Sequence, residues 1–190
     1  MLQGKPCPPF SITSKKEALR LLTHYVTNTH QPPHVTGKQI TFDPNSGRIF
    51  WCDREGLRVM SCHTDGSDVI VHVQTGSTAA DRQDRRRHPV GVAVDYQGGF
   101  LYGSQKGKPK GNEGMILRAP LAVVPQDPTS RTDIEVFTDG LHEPIDLHWD
   151  AEESTLYWTD RGDPPRGNTL NRAPASAAAR PSIMKSFSPA

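Results

Sequence analysis

Two prolines in the chain are each preceded by a side chain that can carry a proton near neutrality. His88 stands before Pro89, Glu143 stands before Pro144, and a further carboxylate, Asp146, follows two residues after Pro144. An imidazole and a carboxylate at one cavity mouth are residue types of general acid–base catalysis, because each titrates near pH 7 once desolvated. The competing role for His88 and Glu143 is structural, as hydrogen-bonding ties between neighbouring units. A second set is basic. Lys106 opens the stretch Lys106-Gly-Lys-Pro-Lys-Gly-Asn112, Arg161 opens Arg161-Gly-Asp-Pro-Pro-Arg-Gly-Asn168, and Arg54 opens the shorter Arg54-Glu55-Gly56. Cations at the start of three corresponding loops are placed to hold an anionic ligand. The alternative is that Gly and Pro shape the turns while the charges stay hydrated. At the strand entry that His88 and Glu143 occupy in the later units, the earliest unit carries Thr36, Lys38 and Gln39, of which Lys38 and Gln39 join the ligand-binding candidates.

Other chemistries leave no trace. The 8 histidines are scattered, without the paired spacing of a zinc site. The three cysteines, Cys7, Cys52 and Cys62, are an odd number without metal-ligand spacing. There is no Gly-x-Ser-x-Gly elbow, phosphate-binding loop or dinucleotide fingerprint, so neither a metal nor a cofactor is expected. Cys52 and Cys62 fall on predicted strands, where they read as small buried hydrophobes.

The elements that must position these residues come from an internal repeat. Gly37-Lys-Gln-Ile-Thr-Phe-Asp43, Pro89-Val-Gly-Val-Ala-Val-Asp95 and Pro144-Ile-Asp-Leu-His-Trp-Asp150 align, with the anchor aspartates 52 and 55 residues apart. Ten residues after each anchor a second motif ends, at Asp53, Gln105 and Asp160. Ile40 and Phe42, Val92 and Val94, and Leu147 and Trp149 alternate as on half-buried strands. The anchor Asp then opens a tight turn, as in Asp43-Pro-Asn-Ser-Gly47. Second strands follow at Ile49–Cys52 and Leu156–Thr159, third strands at Leu57–Cys62, Met115–Ala119 and Thr169–Ala173, and outer strands at Val69–Val73 and Ile134–Phe137. Four strands per unit at this period predict an all-β propeller with four-stranded blades, of which three are present. Its short Asp-led turns lie on one face and the longer loops converge on the other, where a ligand meets several side chains at once.

Composition agrees. Only 34% of residues are hydrophobic, while 16 Gly and 17 Pro suit a loop-rich β protein. The 22 basic and 21 acidic residues leave a net charge of +1, so no nucleic acid or anionic membrane is expected as partner. The local run Arg82, Arg85, Arg86, Arg87 is interrupted by Asp84 and reads as a solvated loop. No segment approaches the roughly 20 apolar residues of a membrane span. The polar N-terminus is no secretory signal, so a cytoplasmic setting is expected.

Tyr157-Trp158-Thr159-Asp160 is a YWTD tetrapeptide, and Phe50-Trp51-Cys52-Asp53 and Leu101-Tyr102-Gly103-Ser104 are looser versions. The chain resembles the YWTD, or low-density-lipoprotein-receptor class B, propeller family over residues 32–173. Leu57–Met60, Gly91–Asp95 and Glu143–Asp146 look most like its soluble fungal and microbial branch. The resemblance implies a six-bladed ring, a small-molecule ligand at the channel mouth, and a role in natural-product biosynthesis, including metal-independent pericyclase-like chemistry. It implies as the alternative a non-catalytic protein-interaction scaffold. Propeller lactonases place a metal-ligating Asn or Asp directly after the proline, where this chain has Val90 and Ile145. Asp53 and Asp160 read as structural acceptors of backbone N–H groups.

Residues 1–31 form a separate N-terminal segment. In it Lys15–Tyr25 reads as a short amphipathic helix capped by Ser14, or as part of an outer strand. Residues 174–190 read as a low-complexity tail. Three blades of six predict either a truncated reading frame or a homodimer that closes a 3+3 ring, because an open arc leaves two blade faces uncovered.

Overall fold

The computed structural model describes residues 37–108, 111–163, 167–176 and 182–186, with only the backbone described at 37–38 and 182–186. The N-terminal helix candidate, Cys7 and Thr36 lie outside the described residues, as does the side chain of Lys38.

Three antiparallel four-stranded sheets follow one another. The first contains β1 (Gly37–Asp43), β2 (Arg48–Asp53), β3 (Arg58–His63) and β4 (Ile70–Gln74). The second contains β5 (Pro89–Asp95), β6 (Phe100–Gln105), β7 (Gly114–Pro120) and β8 (Glu135–Leu141). The third contains β9 (Pro144–Asp150), β10 (Thr155–Asp160), β11 (Thr169–Pro174) and β12 (Ser182–Ser186). The last strand corrects the sequence reading. Part of the segment assigned to a low-complexity tail pairs with β11 and completes the third blade. A further addition is the helix α1 (Ala79–Gln83), followed by a 3-10 turn at Arg85–Arg87. Thr78 caps α1 in a capping box with Asp81, which satisfies orphan donors at both partners. The arginine run read as a solvated loop is thus folded back on itself, with Arg86 paired to Asp84 and Arg87 to Asp81. Among the described residues no helix is long and apolar enough to cross a membrane.

The Asp-led turns form as the sequence predicts. The Asp43 carboxylate accepts from the Asn45 and Ser46 amides, Asp95 from Gly98, and Asp150 from Glu152 and Glu153. A carboxylate that satisfies the turn's own N–H groups makes that turn the preferred local structure.

Blades stack face to face. Phe50, Cys52 and Val59 of blade 1 pack on Val92, Val94 and Leu101 of blade 2. Ala93, Tyr102, Ile116 and Phe137 of blade 2 then pack on Leu147, Leu156, Trp158 and Ala173 of blade 3. Trp149 stacks on Tyr102, with ring centroids 5.6 Å apart. Each blade therefore has a back face toward its predecessor and a forward face toward its successor. The first strands β1, β5 and β9 pack against one another along the axis.

Gly91 shows how closely the second and third blades approach. A Cβ there would lie 2.1 Å from the Ile145 carbonyl oxygen and 2.6 Å from Ser104 Oγ. Ser104 itself donates to that carbonyl at 2.9 Å. An outer latch joins blades 1 and 2. Arg131, with a side chain only 2% exposed, donates to the His72 and Pro120 carbonyls and pairs with Asp133.

Candidate functional site

The end of the arc opposite the Asp-led turns gathers the loops between second and third strands and the connections between blades. Each 2–3 loop closes on a residue in the left-handed region: Leu57 (φ 57°), Asn112 (φ 51°) and Asn168 (φ 54°). Asparagine tolerates that conformation, whereas a leucine there is strained. Burial of the Leu57 side chain offsets the strain at that position. Leu57 and Asn168 stand immediately before β3 and β11, so those two loops, although of unequal length, return to their third strands in the same way, whereas Asn112 lies two residues before β7.

Asp160, the last residue of the tetrapeptide, fixes the connection that carries Glu143. Its carboxylate accepts from the backbone N–H groups of His142 (3.1 Å), Glu143 (2.9 Å) and Gly162 (3.0 Å). The Arg161 amide in turn donates to the Glu143 carbonyl at 3.0 Å. Asp53 instead holds its own 2–3 loop in blade 1, accepting from the Gly56 amide at 2.8 Å and pairing with Arg58. Both aspartates are structural, as their place at strand ends suggests.

Held in this way, Glu143 is buried, and its carboxylate meets two cations. Arg161 donates to it at 3.1 and 3.3 Å from Nε and Nη2, and Lys106 Nζ lies 3.6 Å from Oε1. Burial opposes ionisation of Glu143, but the Arg161 guanidinium and the Lys106 ammonium outweigh it and hold the carboxyl below its usual range. Lys106 is shifted downward by burial and by the guanidiniums of Arg161, Arg85 and Arg54, with Glu143 opposing. At neutral pH Glu143 is a carboxylate that accepts hydrogen bonds, not a proton donor.

Three of the sequence candidates therefore come together: Glu143, Lys106 and Arg161. Arg54 acts on the same ammonium through space and is itself paired with Glu55. The others go elsewhere. His88 caps the 3-10 turn, and its Nε2 lies 2.7 Å from the Arg82 carbonyl oxygen, a contact only the Nε2–H tautomer makes favourable. The imidazole is thus engaged as a structural tie. Asp146 is exposed on the forward face of blade 3, with its amide 3.3 Å from Thr159 Oγ1, and it is not part of the cluster. It occupies the register position of Gly91, which faces the next blade.

Gln39 is corrected most fully. Its amide oxygen accepts from the backbone N–H groups of Val92 and Leu147, each at 2.9 Å, and its amide nitrogen donates to the Leu147 carbonyl. One side chain on blade 1 thus ties the first strands of all three blades across the axis, so it is a closure device for the arc and not a free ligand contact. Arg85 is the residue sequence reasoning missed at the mouth. Its signal was the arginine run, but only the fold of the 3-10 turn brings it toward Lys106. Among the described residues no three His, Cys, Asp or Glu side chains gather as metal ligands would.

No family model matches the chain. It is 54% identical over 138 residues to a protein of Pyricularia oryzae named low-density lipoprotein receptor-related protein 1, covering 72% of this chain and 44% of that protein. It is 41% identical over 140 residues to the 3-hydroxyacyl-CoA dehydrogenase-like protein LAM1 of Cochliobolus heterostrophus, covering 72% of this chain and 30% of that one. The chain thus spans less than half the length of these curated relatives. Among solved structures it resembles a chain of the nidogen/laminin complex, with a TM-score of 0.57 at 22% identity over 77% of this chain and 47% of that chain. It also resembles a gluconolactonase of Xanthomonas campestris, with a TM-score of 0.54 at 16% identity over 80% of this chain and 50% of that chain. Three stacked antiparallel four-stranded sheets among the described residues, the tetrapeptide with its N–H-binding aspartate and these similarities make the chain a member of the YWTD-type, low-density-lipoprotein-receptor class B β-propeller family.

Proposed function

We propose that the chain binds a small organic molecule at its loop-rich end and serves natural-product biosynthesis in a fungus, as a metal-independent, pericyclase-like enzyme. The observation that carries the reading is the convergence of Lys106, Glu143 and Arg161, from two blades, on one partly buried point. Structural ion pairs are common on protein surfaces, but a buried carboxylate facing two cations where the long loops converge supports a binding reading. The relative named 3-hydroxyacyl-CoA dehydrogenase-like supports an enzymatic setting, and the gluconolactonase shows that the fold can serve an enzyme. Chemistry of this kind asks for a shaped cavity and fixed charges, which act on polarity that develops in the transition state. Glu143 and Lys106 are the fixed charges here.

The second reading is a non-catalytic protein-interaction scaffold. It is favoured by the name of the 54% identical relative and by nidogen having been solved in complex with laminin. Product analysis of a producing strain carrying Glu143→Ala separates the two. Loss of one metabolite, with the purified variant still folded by circular dichroism, supports the enzyme. Unchanged metabolites, with a protein partner recovered on the wild-type chain but not on the variant, support the scaffold.

A further inference from the structure

The charges at the mouth do not balance. Lys106 and Arg161 face the single carboxylate of Glu143, while Arg54 from blade 1 and Arg85 from the 3-10 turn add positive potential at the Lys106 ammonium. Glu55 compensates Arg54. At the point of contact two cations, Lys106 and Arg161, thus share the one carboxylate of Glu143. A structural ion pair needs one partner of each sign, and every further cation beside it raises the energy of the empty protein through like-charge repulsion. The side-chain exposures are graded as an anion path requires. Lys106 and Glu143 are withdrawn, at 13% and 7%, whereas Arg161 stands out at 64%. An incoming anion meets Arg161 first and the Lys106–Glu143 pair beneath it.

We propose that this rim is an oxyanion site in which Glu143 occupies the place of the ligand's charge and competes with it. A small molecule ending in a carboxylate or a phosphate group enters beside Arg161 and takes charge-assisted hydrogen bonds from Arg161 and Lys106. Arg54 and Arg85 supply the surrounding field. Glu143 sets the affinity by holding the same two cations when the site is empty. The inference rests on the binding reading above and names the ligand class for it.

The competition makes an unusual prediction, that removing a charged residue from the site strengthens binding. Isothermal titration calorimetry of the purified chain in low-chloride buffer, with octanoate, octanamide and inorganic phosphate as probes, tests it. Octanoate or phosphate should bind at least tenfold more tightly than the neutral octanamide. Lys106→Met should weaken that binding at least tenfold. Glu143→Gln should tighten it several-fold, and Lys108→Met, on an exposed lysine paired with Glu113, should leave it unchanged. Circular dichroism melting establishes that each variant is folded. Phosphate binding without octanoate binding assigns a phosphate-bearing ligand, and the reverse assigns a carboxylic acid. Equal binding of octanoate and octanamide, indifferent to Lys106→Met, overturns the anion site and leaves the small-molecule reading standing. Anion binding that weakens in Glu143→Gln overturns the competitor role. No binding of any probe overturns both.

Discussion

His72 shows at the scale of one residue how burial turns into pH dependence. Its imidazole is 3% exposed on β4, with Nε2 2.8 Å from the Ser61 hydroxyl and the Phe50 ring 5.3 Å away. Burial, reinforced by Arg48 and Arg131, pulls its pKa down from 6.5 to about 4. Between those values the unfolded chain holds a proton that the folded chain does not. Stability therefore falls as the pH drops through that window, by at most about 1.4 kcal/mol per pH unit. Glu143, whose carboxyl is also held low, adds its own loss only at more acid pH. Urea unfolding of the wild-type chain from pH 7 to pH 4.5 should show the loss, and His72→Phe should remove most of it. Parallel curves for the two proteins would place the acid sensitivity elsewhere. None of this was legible beforehand, because a histidine on an outer strand reads the same whether or not the next blade's Arg131 covers it. Gln39 makes the same point. Its alignment with Gly91 and Asp146 was visible, but the unpaired N–H groups of Val92 and Leu147 become its partners only when three first strands meet at one axis.

At the scale of the element, the repeat was legible because it carries redundant signals. Every first strand has alternation, an anchor aspartate and a turn, and each lands where its residues predict. The outer strands carry one signal or none, since they are half-covered edges with a weak period-two pattern. Ser182–Ser186 accordingly passed as tail. The Thr78 and Asp81 capping box was present in the sequence, yet a five-residue helix that buries nothing offers no hydrophobic periodicity to announce it. Glycines at blade interfaces are the other class of weak signal. Gly91 sits in a first strand where an alanine would be an ordinary residue, but its neighbour is the backbone of blade 3. Backbone has little freedom to retreat, so Gly91→Ala must push the second and third blades apart. Overpacking of that kind costs about 1–3 kcal/mol or more. Urea unfolding should show a lower midpoint, whereas Gly47→Ala, at a turn where a Cβ meets nothing within 4 Å, should cost only about 1 kcal/mol for its positive φ. Equal losses at the two sites would mean that the blades can separate freely.

At the scale of the whole molecule, the repeat count predicted an arc with two uncovered faces, and the side chains on those faces bear on how it behaves. The forward face of blade 3 carries, in register alternate to its buried residues, Asp146 and His148 on β9, Tyr157 and Thr159 on β10, and Leu170 and Arg172 on β11. Asp146, His148, Thr159 and Arg172 are exposed. Where blade 2 presents Gly91 and Ala93 to its successor, blade 3 thus presents Asp146 and His148. At the other end Ile49, Met60 and Cys62, on the back face of blade 1, are buried. A second copy closing a 3+3 ring would have to bury the charged and polar side chains of that forward face, and taking charge out of water costs several kcal/mol. The chain is therefore expected to sediment as a monomer of 21.0 kDa. Analytical ultracentrifugation checks this. A species of twice that mass, stable on dilution and lost in Asp146→Ala, would instead show that the polar face of blade 3 is the joint of a closed ring, with Asp146 reaching the next first strand as Gln39 does within the arc.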